Sequence, residues 1–431
     1  MTKISSIKGR RVWDSRGAPT VEVDVVLDNG VSGRAIAPAG ASRGQREAID
    51  LRDGGKALRG KNVAQALANV NGPISESIIG LDANDQEGAD LALCALDTSV
   101  LKEKIGGNAM VATSLAVLHA AAADAAKPLW RYVADSYGQE PSLPLPEIQI
   151  FGGGAHAGRR VDIQDFMIMV PGAASFDEVM EITSEVYFAA GDLMAQRGRA
   201  AGIADEGGWW PLFDSNEQAL ETLVQAIELA GEKPGERVVI SLDIAASEFG
   251  QSGNYRLNLE DRALDSEKFI DLLGGWLDAY PIVSIEDPLG EDDPDGMVEF
   301  TRRFGERVQI IGDDYLVTNA DLVSEAAQTG ACNAVLIKVN QIGTVSEAME
   351  TFTVAKRLGW GAVVSARSGE SEDSTISHLV TGLGCGQLKV GSFQRSERMV
   401  KWNECLRIQD DLGADTFVGG KPLANTWWAS K

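Results

Sequence analysis

Apolar and polar residues alternate with a period of two along much of the first forty positions of the chain. The stretch TVEVDVVLDNGVSGRAIAP (20–38) carries this alternation on both sides of Asp-Asn-Gly, a sequence typical of tight hairpin turns. The small residues at 39–44 are typical of a mobile loop. From about residue 60 to residue 137 the apolar spacing becomes helical. Strands followed by a block of helices indicate an α+β domain, which we expect over residues 1–137.

The pattern changes after a proline-rich segment at 136–147, which marks the expected boundary between two domains. Beyond it, short continuous apolar runs alternate with helical segments such as 216–231 and 344–359. The runs are FMIMV (166–170), VVISLDIA (238–245), PIVSIED (281–287), VQIIGDD (308–314), AVLIKVN (334–340), AVVSARS (362–368) and QLKVGS (387–392). Such runs predict a parallel sheet with helices on both faces. Their number over residues 138–431 favours a (β/α) barrel, although an open sheet also fits the pattern.

Composition narrows the functional classes. The 431 residues carry a formal net charge of −24, and a surface this acidic repels nucleic acid and anionic membranes. Four scattered cysteines without a CxxC pair indicate a reducing compartment rather than a disulfide or zinc framework. The N-terminal sequence has no apolar core and no cleavage signal, so we expect a cytoplasmic protein. An anionic substrate would need positive charge supplied locally by lysine, arginine or a metal ion.

Charged or hydroxyl side chains follow six of the apolar runs, where each predicted strand ends. They are Asp243, Glu286 with Asp287, Asp313 with Asp314, Lys338, Arg367 with Ser368, and Lys389. In a barrel the carboxyl ends of the strands surround one mouth, so we expect these groups around a single site. Any one of them alone is most simply a solvated strand end, but their recurrence points to function. Carboxylate oxygens from three strands are ligands that suit Mg²⁺ better than zinc.

The same residues offer a route to the ionisation of a carbon acid. Lys338, at a strand end beside Mg²⁺, is a candidate general base because neighbouring cations favour its neutral form. Metal bound to a substrate carboxylate would stabilise the enediolate left when the α-proton is removed. Glu206, in the glycine-rich turn ADEGGWW (204–210), is a candidate acid for the leaving group. His156 lies between glycines in FGGGAHAG, where a side chain can be presented to a ligand.

Motifs along nearly the whole chain resemble those of the enolase family, the phosphopyruvate hydratases of glycolysis. They include SRGAPTVEVDV, GASRGQREAIDLRDG, GGAHAGRRVDIQDFMIM, DEGGWWPL, LDIAASEF, SIEDPLGEDD, GDDYLVTN, LIKVNQIGT, ARSGESED and GQLKVGS. The resemblance implies a modified (β/α)8 TIM-type barrel preceded by an α+β capping domain, assembled as a homodimer or higher homo-oligomer. It also implies a Mg²⁺-dependent lyase that converts 2-phosphoglycerate to phosphoenolpyruvate, or acts on a close analogue of these small phosphorylated carboxylates.

The resemblance assigns a role to each candidate residue. The metal ligands are Asp243, Glu286 and Asp313 for a tight Mg²⁺ and Ser42 for a second Mg²⁺. The catalytic residues are Lys338, which takes the C2 proton, and Glu206, which helps to expel the C3 hydroxyl. The substrate-binding residues are Lys389 at the carboxylate, Arg367 and Ser368 at the phosphate, and His156 and Asp165. His156 is expected to enter on its loop as the site closes.

The sequence departs from the family near the hydroxyl end of the expected substrate. The family has Ser-His-Arg-Ser-Gly-Glu where this chain has SARSGE, so Ala366 replaces a histidine that lies close to the substrate. The family's Gln-Glu-Phe-Met is QDFM here, which makes Asp165 one methylene shorter. Further departures are Ala39, Arg43, Gly152, Trp209 and Trp210.

These departures leave three interpretations open. The chain is an ordinary but divergent enolase, or a specialised paralogue whose substrate differs at the phosphate or hydroxyl end, or a non-catalytic scaffold. The second rests on analogy with enzymes of phosphonate and phosphinate pathways such as carboxyphosphonoenolpyruvate synthase. Since the predicted metal ligands and lysine base all match the family, an enzyme is favoured over a scaffold.

Overall fold

The computed structural model describes residues 2–41 and 43–430. Its N-terminal part is an antiparallel sheet in the order β1-β2-β3 with helices packed against it. The elements are β1 (Ile4–Trp13), β2 (Pro19–Leu27), β3 (Ser32–Ile36), α1 (Ala64–Asn69), α2 (Ser75–Ile78), α3 (Gln86–Leu96), α4 (Gly107–Asp124) and α5 (Leu129–Tyr137). The predicted hairpin is present, and its turn contains Gly30 with a φ angle of 87°, which favours glycine.

Helix α4 lies at the centre of this part of the molecule. Nearly all its residues are buried, because β2 and β3 pack on it together with α3 and α5. Gly33 of β3 lets the sheet approach the helix closely. A Cβ atom at Gly33 would lie 2.2 Å from the backbone nitrogen of Ala120 and 2.4 Å from the carbonyl oxygen of Ala116. The backbones of β3 and α4 are therefore in direct contact at Gly33, with no side chain between them.

Substitution of Gly33 by alanine should lower the free energy of unfolding by about 1–3 kcal/mol, because the added methyl overlaps backbone atoms that no rotamer change can move. Urea or thermal unfolding measures the effect. Gly275→Ala is a matched control: Gly275 lies in the helix Ser266–Ala279, and a Cβ there would meet nothing within 4 Å. The free energy of unfolding of this control should rise by about 0.5–1 kcal/mol, because alanine is favoured over glycine inside a helix. Equal stabilities of G33A and the parent protein would contradict the close approach.

Within the described ranges, no single helix is long and apolar enough to cross a membrane. Helices α4 and α5 reach the required length and hydropathy only as a pair, and the chain bends by 96° between them.

Eight strands of the remaining chain form a closed barrel. The strands after β3 are β4 (Leu145–Gly152), β5 (Asp165–Met169), β6 (Ala200–Ile203), β7 (Trp209–Pro211), β8 (Val239–Asp243), β9 (Gly250–Gln251), β10 (Asn254–Leu257), β11 (Arg262–Asp265), β12 (Ile282–Glu286), β13 (Gln309–Gly312), β14 (Ala334–Ile337), β15 (Gly361–Ser365) and β16 (Gly386–Ser392). The barrel order is β4, β5, β8, β12, β13, β14, β15 and β16, and β16 pairs with β4 to close it. The open-sheet alternative is therefore wrong. The β6–β7 hairpin extends from β4, and β9–β11 form a separate small sheet.

Helices connect most of the barrel strands, and six of them begin at capping side chains. They are α6 (Phe176–Gln196), α7 (Asn216–Leu229), α8 (Ser266–Ala279), α9 (Pro294–Phe304), α10 (Ala320–Thr329), α11 (Val339–Ile342), α12 (Val345–Arg357), α13 (Thr375–Gly382) and α14 (Ser396–Leu412). The hydroxyls of Ser175, Ser215 and Thr344 accept backbone N–H bonds at the first turns of α6, α7 and α12. These bonds satisfy donors that a helix start leaves without an intrahelical partner.

One barrel strand runs against the others. Strand β5 is antiparallel to both β4 and β8, so the prediction of a wholly parallel sheet is wrong for β5. Strand β4 was also missed by the apolar pattern, because it contains Pro146, Glu147 and Gln149 although it is buried throughout. The reversal brings the first residue of β5, Asp165, beside Gly152 and Asp243, the last residues of β4 and β8. Asp165 therefore lies at the mouth where the parallel strands end.

Candidate active site

The charged residues predicted at the strand ends come together at one mouth of the barrel. A cavity of about 20 Å³ lies there, enough for one water molecule. It is lined by Gly40, Ala41, His156, Gln164, Asp165, Glu206, Asp243, Lys338, Ser365, Ala366, Arg367, Ser368, Lys389 and Val390. The start of the predicted loop lies at the mouth, since Ala39 pairs with Gly369 and both Gly40 and Ala41 line the cavity. Ser42, a predicted metal ligand, lies outside the described residues.

Lys389 joins two of the predicted metal ligands. Its Nζ lies 2.7 Å from Asp243 Oδ2 and 2.8 Å from Glu286 Oε2, and 3.6 Å from Asp165 Oδ2. Gln164 donates a hydrogen bond of 3.0 Å to the same Oδ2 of Asp243. All these side chains are buried. A buried ammonium group therefore lies between the two carboxylates.

Lys338 pairs with the third predicted metal ligand. Its Nζ lies 2.5 Å from Asp313 Oδ2, and Gln341 donates to Asp313 Oδ1 at 2.8 Å. The amine therefore faces the same acidic mouth as Lys389, which is the orientation that a base in this site needs. Lys338 directly follows β14, and its own N–H bonds to the hydroxyl of Thr318 at 2.9 Å.

The charges of the site shift the pKa values of its groups in opposite directions. Burial and the neighbouring Asp243 raise the pKa of Glu286 well above its usual value. Burial alone would also raise the pKa of Asp313, but the positive charges of Lys338 and Lys389 hold it at about 2. Burial, the largest influence, would lower the pKa of Lys338, yet the surrounding carboxylates, first Asp313 and then Glu286, together raise it. Lys338 therefore keeps its proton as long as it is paired with Asp313.

The acidic groups fit a divalent cation such as Mg²⁺. Oε1 of Glu286 is buried and has no hydrogen-bond partner among the described residues. The other oxygen of Glu286 and one of Asp243 already share a positive charge from Lys389. Hard carboxylate oxygens of this kind are what Mg²⁺ prefers. Two groups in the described chain have potential ligand atoms that all lie within 4.8 Å of one another, namely His156 with Asp165 and Glu206, and Asp287 with Asp313 and Asp314. The predicted trio of Asp243, Glu286 and Asp313 is not among them, since Lys338 and Lys389 lie against its carboxylates.

His156, Asp165 and Glu206 form a compact cluster across the cavity. His156 Nδ1 lies 3.5 Å from Asp165 Oδ1, and Nε2 lies 3.8 Å from Glu206 Oε1. Burial alone would lower the pKa of His156, but the two carboxylates raise it to about 9. The imidazole is therefore protonated at neutral pH. Ala366 lines the same cavity and is 7% exposed.

The predicted phosphate-binding residues are both held by the N-terminal part. Glu47 forms two contacts with the guanidinium of Arg367, at 3.0 and 3.1 Å, and both side chains are buried. The hydroxyl of Ser368 accepts bonds from the backbone N–H of Ala41 at 2.7 Å and from Arg16 Nη1 at 3.2 Å. The barrel mouth and the capping segment are thus linked by direct polar contacts.

Sequence reasoning missed several residues that contact the predicted ones. They are Arg16, Glu47, Gln149, Gln164 and Gln341. Gln164 carried the clearest signal, because it directly precedes Asp165 in QDFM. Gln341 lies three residues after Lys338, and Gln149 lies in the strand that the apolar pattern did not detect. No local pattern marks Arg16 or Glu47, since the predicted site residues that they contact, Ser368 and Arg367, are more than 300 residues away in the chain.

Comparison with known protein families covers both parts of the chain. Residues 4–133 match the family model described as the enolase N-terminal domain. Residues 140–426 match the model described as the enolase C-terminal TIM barrel domain. The observed capping sheet and closed barrel agree with these two matches, and the chain therefore belongs to the enolase family.

Proposed function

We propose that the protein is a Mg²⁺-dependent carbon–oxygen lyase that acts on 2-phosphoglycerate, phosphoenolpyruvate or a close analogue. The observation that carries this proposal is the placement of the Lys338 and Lys389 amines against Asp313, Asp243 and Glu286 at one mouth. A site with paired lysines and acids can bind a carboxylate, hold a divalent cation and move a proton at the adjacent carbon.

Asp243, Glu286 and Asp313 would hold the ion, with Ser42 contributing to a second. Mg²⁺, when bound, would neutralise the substrate carboxylate and the negative charge that develops when the α-proton leaves. Lys338 would become a competent base when a cation held by Asp313 offsets the charge of that carboxylate, because Asp313 does more than any other group to raise the pKa of Lys338. The Lys338 amine then takes the C2 proton.

The other residues complete an elimination whose atoms balance. The electron pair of the C2–H bond forms the C2–C3 double bond, and the C3–O bond breaks. Glu206 would deliver a proton to the departing hydroxyl, which leaves as water. His156 keeps a proton within 3.8 Å of Glu206 and can resupply it. Lys389 would bind the carboxylate, while Arg367 and Ser368 would bind the phosphate.

Exchange of the C2 proton of 2-phosphoglycerate in D₂O tests the proposal. We expect deuterium to be incorporated at C2 in a Mg²⁺-dependent manner, and nuclear magnetic resonance measures this incorporation. Absence of both exchange and Mg²⁺ binding would contradict the proposal and favour a non-catalytic scaffold.

Ala366 favours a second candidate, a specialised paralogue with a substrate altered at its hydroxyl or phosphate end. Ala366 lines the same cavity as Glu206 and His156 and brings no acid or base of its own. Loss of one positioned acid–base group typically costs about 10²–10⁴-fold in rate. The paralogue is therefore expected to exchange the C2 proton of 2-phosphoglycerate while forming little phosphoenolpyruvate. Turnover of 2-phosphoglycerate at ordinary enolase rates would exclude this candidate.

Ala366→His should raise phosphoenolpyruvate formation from 2-phosphoglycerate if the missing imidazole limits the elimination. The expected gain is at least about 10-fold, below the 10²–10⁴-fold of a fully positioned group because the cavity must widen to admit the ring. Ultraviolet assay of the product measures it, and the rate of C2 exchange serves as the internal control. An unchanged rate would mean that other residues, such as Asp165, limit the reaction.

The homodimer or higher oligomer implied by the resemblance remains part of the proposal. Light scattering coupled to size-exclusion chromatography measures it directly.

A further inference from the structure

Gln149 bonds the Asp165 carboxylate beside His156 and the backbone of the turn that carries Glu206. It is fully buried in β4. Its Nε2 donates a short hydrogen bond to Asp165 Oδ1, and its Oε1 accepts the backbone N–H of Gly208 at 2.9 Å. Gly208 lies two residues after Glu206, in the turn between β6 and β7. One amide therefore connects the start of β5 with the turn that carries Glu206.

The orientation of the amide is determined by its two partners. Asp165 offers a carboxylate oxygen, which needs a donor, whereas the Gly208 N–H needs an acceptor. A flipped amide would place oxygen against oxygen and N–H against N–H. Gln149 consequently makes two directional bonds that cannot be exchanged, and each constrains the position of one element.

The space around the amide leaves little freedom for the turn. A Cβ atom at Gly208 would lie 2.3 Å from Gln149 Oε1, so only glycine allows the turn to approach so closely. On the far side, the backbone oxygen of Gly207 accepts a bond from Tyr187 Oη at 2.9 Å, and the carbonyl of Glu206 accepts one from Ser392 N at 2.9 Å. The turn is thus fixed from several directions, and Gln149 is the side chain that joins it to Asp165.

The contact joins a long side chain, Gln149, to a short one, Asp165. Asp165 is a short carboxylate, and the long side chain of Gln149 spans the distance to it from the neighbouring strand. Shortening Gln149 by one methylene would open a gap in this contact, and lengthening Asp165 by one methylene would close it again.

We propose that Gln149 is a positioning residue for the elimination step: it sets the placement of Asp165 and Glu206 on either side of His156. This inference rests on the proposed function. Gln149 has no contact with Lys338 or with Asp243, Glu286 and Asp313 among the described hydrogen bonds and ion pairs. Its described route to those groups runs through Asp165, whose Oδ2 lies 3.6 Å from Lys389 Nζ, whereas it bonds Asp165 Oδ1 and the turn that carries Glu206 directly. Its influence should therefore fall more on the departure of the hydroxyl than on proton abstraction at C2.

Length-compensating variants test the proposal. Gln149→Asn should lower phosphoenolpyruvate formation by about 10²-fold, the typical cost of a misplacement near 1 Å, and should leave C2 exchange in D₂O within about twofold of the parent rate. Asp165→Glu alone should also impair elimination, because the longer carboxylate crowds the glutamine amide. The double variant Q149N/D165E restores the contact and should recover most of the lost rate, which a purely additive structural defect would not do.

Two further measurements keep the outcomes separate. Gln309→Met removes another buried barrel glutamine, which bonds Ser284 and Gln387, and should reduce stability without a selective loss of elimination. The titration midpoint of His156, readable because the chain has three histidines, should move in each single variant and return in the double variant. If the parent protein exchanges the C2 proton but forms no phosphoenolpyruvate, the shift of the His156 midpoint is the measurement that tests the positioning role of Gln149.

Equal losses of exchange and elimination in Q149N, or no recovery in the double variant, would overturn the positioning role alone. Absence of exchange in the parent protein would overturn the proposed function and this inference with it.

Discussion

Replacement of Lys338 by alanine should lower Mg²⁺-dependent exchange of the C2 proton by about 10²–10⁴-fold, the usual contribution of a positioned general base. The amine lies 2.5 Å from Asp313 Oδ2 and no other lysine amine contacts that carboxylate among the described ion pairs. Mg²⁺ affinity should be kept, since the three carboxylates stay in place and Asp313 loses a competing cation. Exchange in D₂O and calorimetric titration with Mg²⁺ measure the two properties separately.

Lys102→Ala provides the matched control for K338A. Lys102 is also a buried lysine, and its Nζ pairs with Glu347 at 2.9 Å, outside the residues that line the cavity. This control should lower stability and leave exchange unchanged. If K338A still exchanges the C2 proton, Lys338 is not the base, whatever the stability of the variant.

Replacement of Glu286 by glutamine should weaken Mg²⁺ binding by more than the roughly 10–100-fold that loss of an outer-sphere partner costs. Glutamine keeps the shape but removes the negative charge and one oxygen ligand. Burial beside Asp243 raises the pKa of Glu286, which means that the charged carboxylate is disfavoured in the folded protein. The metal-free E286Q variant should therefore be at least as stable as the metal-free parent. Calorimetric titration with Mg²⁺ and thermal unfolding with and without the ion distinguish lost binding from misfolding.

Glu147→Gln is the control for this change. Glu147 is also a fully buried barrel glutamate, held by bonds from Gln387 Nε2 at 2.9 Å and Ser241 Oγ at 3.0 Å. Burial raises the pKa of Glu147 too, so both substitutions remove a carboxylate from a similar environment. Mg²⁺ affinity should be unaffected by E147Q. An equal loss in both variants would mean that the metal site does not depend on Glu286 specifically.

Much of the barrel could be predicted because strands that are buried on both faces have continuous apolar sequences. Each of the seven predicted apolar runs overlaps one barrel strand. Strand β4 was not detected from the apolar pattern, because it carries Glu147 and Gln149, whose polar groups are satisfied by other buried side chains and by the backbone N–H of Gly208. Burial also says nothing about strand direction. The connection from Gly152 to Asp165 has only one short helical turn, Gly154–Ala157, whereas a parallel crossover usually needs a longer helix. Since β4 was not predicted, the length of this connection could not reveal the reversal of β5.

The site could be predicted as a list of residues but not as a set of contacts. Charged residues at strand ends had to meet at one mouth once the barrel closed. Which amine would pair with which carboxylate depends on side-chain geometry that the pattern does not contain, as with Lys389 between Asp243 and Glu286. The pairing of Glu47 with Arg367 depends on how two separately patterned parts of the chain dock.

The reversed strand β5 has a consequence for how such an enzyme can change over evolutionary time. With β4 and β5 joined at the mouth and the β6–β7 hairpin beside them, His156, Asp165 and Glu206 come from one stretch of about fifty residues, 156–206. The carboxylates and amine proposed for metal binding and deprotonation come from a later stretch, between Asp243 and Lys338. Mutations or exchanges confined to the earlier stretch can therefore remodel one half of the reaction while the other half is inherited intact.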